Sequence, residues 1–228
     1  MNVEFCCLAK CQSEIEPSVP TFVHYAPTLA SNSVDIARAV VVLSSESAAI
    51  ATSLLEGGAS RVLLGEAALL DGAVIDGLLK RFGAERLGVH VPVQRQAVSW
   101  AFDTESNADF RVVTPSQCEP AWEILRANGE FSGIRADKWI DEMLRRGLQS
   151  FLLRADIQDD MDLNLCAGMV EMLGDKLWLA PLNDPSPAIA DWITFGQATQ
   201  LALPYALYHR RHELLPRTDD ADTTVVAG

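Results

Sequence analysis

Cys6, Cys7 and Cys11 cluster near the start of the chain, while Cys118 and Cys166 stand alone. Neighbouring thiols can ligate a metal, pair as a disulfide or run redox chemistry. Five is an odd count, and zinc sites favour paired Cys or Cys/His spacings that are absent here. The opening MNVEFCCLAKCQ has no basic segment leading into a long apolar core, so no secretory signal is expected. A cytoplasmic protein keeps its thiols reduced. Cys6 and Cys7 sit in an apolar run that reads as a strand, where adjacent side chains face opposite ways. They are expected to be structural. His209 and His212, with Arg210 and Arg211, form a basic turn in the last helix, where cations suit the helix C-terminus. No metal and no cofactor is expected.

The 228 residues are 49% hydrophobic and 21% charged, which suits a soluble globular domain able to bury its own core. Thirty-one acidic side chains against 18 basic ones give a net charge of −13. Such a balance argues against nucleic acid, whose phosphates need Lys and Arg, and against a polybasic membrane surface. The longest apolar runs are about ten residues, half of what a spanning helix needs.

A helix–glycine–strand phrase recurs. Residues 46–57, 71–82, 137–146 and 164–173 carry apolar side chains at helical spacing, and each segment runs into glycine and a short apolar run. Such runs suit strands buried on both faces of a parallel sheet. Strands are expected near 3–8, 21–25, 38–43, 61–65, 86–91, 151–155, 176–181 and 200–204. Eight alternating units predict an α/β fold, a (β/α)8 TIM barrel. An open doubly wound sheet is the competitor, but it would carry a glycine-rich loop after its first strand. The connections at 9–20 and 26–37 contain Pro17, Pro20 and Pro27 and look too short for crossover helices. The first two βα units are therefore expected to be abbreviated. A single domain is expected over 1–215, with a flexible acidic tail over 216–228.

Four phrases in order, EGGASRVLLGEAALL (56–70), LGVHVPVQRQAVSW (87–100), RRGLQSFLLRADIQDD (145–160) and LPYALY (203–208), resemble the HisA/HisF barrels of histidine biosynthesis. The resemblance spans roughly residues 38–208. It implies the TIM barrel and kinship with the phosphoribosylformimino-AICAR-phosphate isomerase. That enzyme uses acidic residues across the barrel mouth as general acid and base, and glycine-rich turns for two phosphates. The first-strand acid is missing from VEFCCLAKCQ, and the fifth-strand Asp is replaced by His90. On strand six Asp156 survives beside Ala155. His90 and Asp156 are thus the candidate catalytic pair, since imidazole titrates near neutrality and strand ends line the active face. Gly65, Glu66, Asn183 and Asp184 are candidate ligand contacts at strand ends.

The phosphate chemistry is depleted. Ser44, Ser45 and Glu46 follow strand three without a glycine, Pro181 and Pro185 flank the turn after strand seven, and Pro204 replaces a glycine on strand eight. Residues 101–136 are an insertion relative to the family, with strand-like ADFRVVTP and helix-like CEPAWEILRANG, expected over the barrel mouth. The sequence points to a diverged barrel acting on or binding a small ligand at its C-terminal face. If it is an enzyme, general acid/base chemistry without metal is expected. The resemblance also carries an association with tetrahydromethanopterin-linked one-carbon metabolism. The alternatives are a non-catalytic scaffold or regulatory subunit that docks a protein partner through 101–136, and a functioning isomerase.

Overall fold

The computed structural model describes residues 3–16, 18–29, 37–95, 102–107, 110–115 and 120–216. Cys118 and all of the predicted tail except Pro216 lie outside them. The strands are β1 (Glu4–Ala9), β2 (Thr21–His24), β3 (Val40–Val42), β4 (Arg61–Leu64), β5 (Leu87–Arg95), β6 (Phe102–Asn107), β7 (Phe110–Pro115), β8 (Trp122–Leu125), β9 (Phe131–Arg135), β10 (Phe151–Ala155), β11 (Leu177–Pro181) and β12 (Gln200–Pro204). The α-helices are α1 (Ala48–Glu56), α2 (Glu66–Leu70), α3 (Ala73–Phe82), α4 (Ala136–Arg145), α5 (Asp160–Leu173), α6 (Ile189–Thr194) and α7 (Tyr205–His209).

Eight strands pair in parallel in the order β10-β11-β12-β1-β2-β3-β4-β5, and β5 closes the ring on β10. With helices between the strands, this is the (β/α)8 barrel. All eight predicted strands form. The connection from β1 to β2 carries a single 3-10 turn, Gln12–Glu14, among its described residues, and the connection from β2 to β3 is described only in part.

The alternation of strand side chains divides the core in two. Cys6, Leu8, Phe22, Val42, Leu63, Leu152, Ala180 and Ala202 fill the barrel interior. Cys7, Val23, Val41, Val62, Val89 and Leu153 face the helices. This is why each strand reads as a continuous apolar run rather than an alternating one. Cys6, Cys7 and Cys166 are buried free thiols.

The insertion corrects one expectation. The described part of CEPAWEILRANG, residues 120–129, does not form a helix: β8 runs through Trp122–Leu125 and turns at Asn128-Gly129 into antiparallel β9. Gly129 has φ +84°, and Arg126 N donates to Glu130 O at 2.8 Å. Asn-Gly favours such turns because φ above zero costs glycine no steric strain. β6 and β7 form a separate two-stranded sheet. The second half of β5 leaves the barrel and pairs with β8 through Val93↔Ile124 and Arg95↔Trp122.

A polar lock fastens this hairpin to α5. Arg95 grips Asp159 through both oxygens at 2.5 and 2.7 Å, and the Arg95 hydrogen bond leads the effects holding that carboxyl down at about 2. Asp159 also caps α5 by accepting from Met161 N and Asp162 N. Buried Asp162 accepts from Trp122 Nε1 at 3.1 Å and from Gln158 N at 3.2 Å.

Candidate functional site

The C-terminal ends of the barrel strands open on a cavity of about 220 Å³. That is the volume of roughly seven liquid waters. Ser44, Gly65 and Glu66 form one side, at the ends of β3 and β4. His90 and Pro92 come from β5, Arg154 from β10, and Leu182 and Asn183 from the turn after β11. The insertion supplies another wall: Ile124, Leu125, Arg126, Ala127 and Gly129, all from the β8–β9 hairpin, line the same space. Leu69 and Trp139 add apolar surface.

Gly65 is required by close approach. A Cβ there would stand 2.6 Å from Ser44 O and 2.7 Å from Leu43 O, so no side chain fits between the ends of β3 and β4. Glu66 then begins α2, with its N–H donating to Ser44 O at 2.8 Å.

His90 is 5% exposed and reaches the cavity from β5, level with Leu152 of β10. Neither ring nitrogen makes a hydrogen bond of good geometry, and the one main-chain group that acts on the ring as an acceptor is the Leu43 carbonyl. Its ring packs edge-on against that of His24, centroids 5.8 Å apart. Burial pushes the His90 pKa well down, and the nearby His24 and Arg154 push the same way; the Leu43 carbonyl opposes them. His24 is lowered to about 4 by burial first, then by Arg154 and Lys10. Both imidazoles are therefore neutral at pH 7.

Arg154 completes the floor. Its Nε donates to Pro181 O at 3.2 Å and one terminal nitrogen to Leu182 O at 2.5 Å, while the other faces His24 Nε2 at 3.5 Å. Burial lowers its pKa and Asp156 partly offsets this. A second groove of about 530 Å³ shares Arg154 and Asn183, and is lined also by Lys10, His24, Asp184 and Arg210.

His90, Gly65, Glu66 and Asn183 thus surround one cavity, and Asp184 lines the adjoining groove. Asp156 does not join them. It borders a third hollow with Gln94, Arg95 and Asp162. Its Oδ1 accepts from Leu182 N, Asn183 N and Asp184 N at 3.0, 2.8 and 2.9 Å. That carboxylate holds the turn after β11 and positions Asn183. Asp156→Ala should cost about 2 kcal/mol in urea unfolding, because three donors lose a charged acceptor. Asp156→Asn, which keeps an acceptor oxygen, should cost less; an Asp156→Ala chain as stable as the parent would show that the bonds to Oδ1 contribute nothing.

Arg154 and His24 were not among the sequence candidates, although a signal existed. In FLLRA, Leu152 and Arg154 share a face, and Phe22 and His24 do so in β2. A polar residue one step beyond an interior apolar one on a barrel strand must point toward the mouth.

No protein-family model and no curated protein matches this chain. Among the described residues, no helix is long and apolar enough to cross a membrane.

Proposed function

We propose that this chain is a diverged HisA/HisF-like barrel that binds a small ligand in the His90 cavity and does not perform the histidine-pathway isomerisation. One observation carries the reading: an imidazole 5% exposed reaches the cavity with no well-formed hydrogen bond at either nitrogen, the Leu43 carbonyl acting on the ring only in poor geometry. Buried polar atoms are nearly always hydrogen-bonded, so His90 is completed by something that enters. A neutral imidazole offers one donor and one acceptor, and a ligand with the complementary pair fits it. Leu69, Pro92, Ile124 and Trp139 supply apolar walls for the ligand's body. Any proton transfer in this cavity runs through His90. The isomerisation is disfavoured because Asp156 is committed to the turn and the first strand carries no Asp.

The full chain should be titrated with a reduced pterin, an aminoimidazole carboxamide ribotide and a fragment set while the His90 ring resonances are followed. At least one saturable binder is expected to shift them, and to weaken at least about tenfold in Ser44→Phe, which fills the cavity. Binding that leaves His90 unmoved and tolerates Ser44→Phe would overturn the site. Growth of a histidine auxotroph lacking the isomerase, restored by this chain, would overturn the exclusion of that activity.

A further inference from the structure

Given the ligand cavity proposed above, we propose that its occupant is a small organic acid whose carboxylate is received by Arg154. Arg154 lies in the barrel mouth, between the His90 cavity and the adjoining groove. Among the described residues no carboxylate lies within 4.0 Å of it; Asp156 acts on it only at longer range. Every other described partner of its side chain is uncharged: two main-chain carbonyls and the neutral His24 ring.

A guanidinium carries five N–H groups. Two go to Pro181 O and Leu182 O and one faces His24, which leaves one on each terminal nitrogen. One free donor on each terminal nitrogen is enough to meet the two oxygens of a carboxylate. A partly buried charge without an opposite charge is costly, and a bound anion offsets that cost. His90, which makes no well-formed hydrogen bond within the protein, borders the same cavity, placing a further hydrogen-bonding group beside the anion.

The charge balance selects among anions. Glu66 also lines the cavity, while the second cation in its wall, Arg126, is an exposed residue of the hairpin turn. One partly buried cation with a carboxylate in the same wall favours a monoanion over the double charge of a phosphate monoester.

The test uses three probes of similar size on the full chain at pH 7.5: benzoate, benzamide and phenyl phosphate. Binding is followed by the Arg154 Nε resonance and by calorimetry. Benzoate is expected to bind at least about tenfold tighter than benzamide, with phenyl phosphate no tighter than benzoate. In Arg154→Gln the benzoate preference should vanish while benzamide binding persists. Arg154→Lys should keep part of it. Benzoate and benzamide binding alike in the cavity would overturn the carboxylate assignment and leave the ligand site standing. Tighter binding of phenyl phosphate, or a preference that survives Arg154→Gln, would overturn it too. The wild-type comparison decides even if a variant fails to fold. If no probe moves either Arg154 or His90, the carboxylate assignment falls, while the ligand site itself is decided separately by the pterin, ribotide and fragment titrations above.

Discussion

Replacing Gly88 by valine is expected to leave a chain that does not assemble the barrel. Gly88 lies on β5 opposite Leu63 of β4. A Cβ there would stand 2.4 Å from Ser150 O, 2.5 Å from Leu63 Cδ2 and 2.9 Å from Ser150 Cβ. The Leu63 side chain can turn away, but Ser150 O cannot, because it accepts from Val89 N at 3.0 Å beside the seam where β5 closes on β10. Overpacking a core ordinarily costs about 1–3 kcal/mol. A clash with the backbone at the closure point should exceed that, about 4 kcal/mol or more for valine and about 2–3 kcal/mol for alanine. Soluble yield and the urea midpoint check this. A Gly88→Val chain unfolding within about 0.5 kcal/mol of the parent would show that the seam opens more easily than its contacts imply.

The second large effect is loss of stability in mild acid. An ordinary histidine titrates near 6.5, whereas His24 is held at about 4 and His90 also lies well below its usual value. Between those values the unfolded chain takes up protons that the folded chain refuses, so stability falls as pH drops from 7 toward 4. By linkage His24 alone contributes about 2 kcal/mol of loss by pH 5 and about 3 kcal/mol by pH 4. His90 adds to this in the same direction. Asp159 is depressed to about 2, so its contribution is lost only below the ordinary carboxylate range, and a comparison of pH 7.5 with pH 5.0 isolates the imidazoles. Urea midpoints at these two pH values should differ in the wild type, and His24→Gln should shrink the difference by roughly its share. An unchanged difference would remove His24 from the account.

These two effects come from different levels of legibility. The barrel was readable because strands buried on both faces leave continuous apolar runs, and the helices between them keep amphipathic spacing. The hairpin was not, because Trp122, Ile124 and Leu125 in a four-residue strand imitate a helical face, although Asn128-Gly129 marks its turn. What placed Trp122 was Asp162, forty residues away, which no local pattern announces. In the site, His90 is legible because it stands where the resemblance to HisA/HisF barrels implies an acid. Asp156 was legible as a strand-end carboxylate, but whether its oxygens face a ligand or the next turn depends on Leu182, Asn183 and Asp184 folding back over it. Arg154 is a charge inside an apolar strand, and that position alone does not tell whether it faces the mouth or a neighbouring carboxylate.

β5 belongs to two sheets: Leu87–Pro92 pair within the barrel and Val93–Arg95 with β8. The residue at the cavity floor and the hairpin at its wall are therefore joined by one uninterrupted ladder rather than by a loop. Ile124 pairs with Val93, three residues beyond His90 on the same strand, so their separation is set by that stretch of β5 and one interstrand step, neither of which changes when tip residues 126–130 are exchanged. Such an arrangement separates aperture from chemistry. In the ligand site proposed above, preference can drift through hairpin-tip substitutions while the width of the slot stays constant, and a transplanted tip should alter the proposed selectivity without refitting the barrel beneath it.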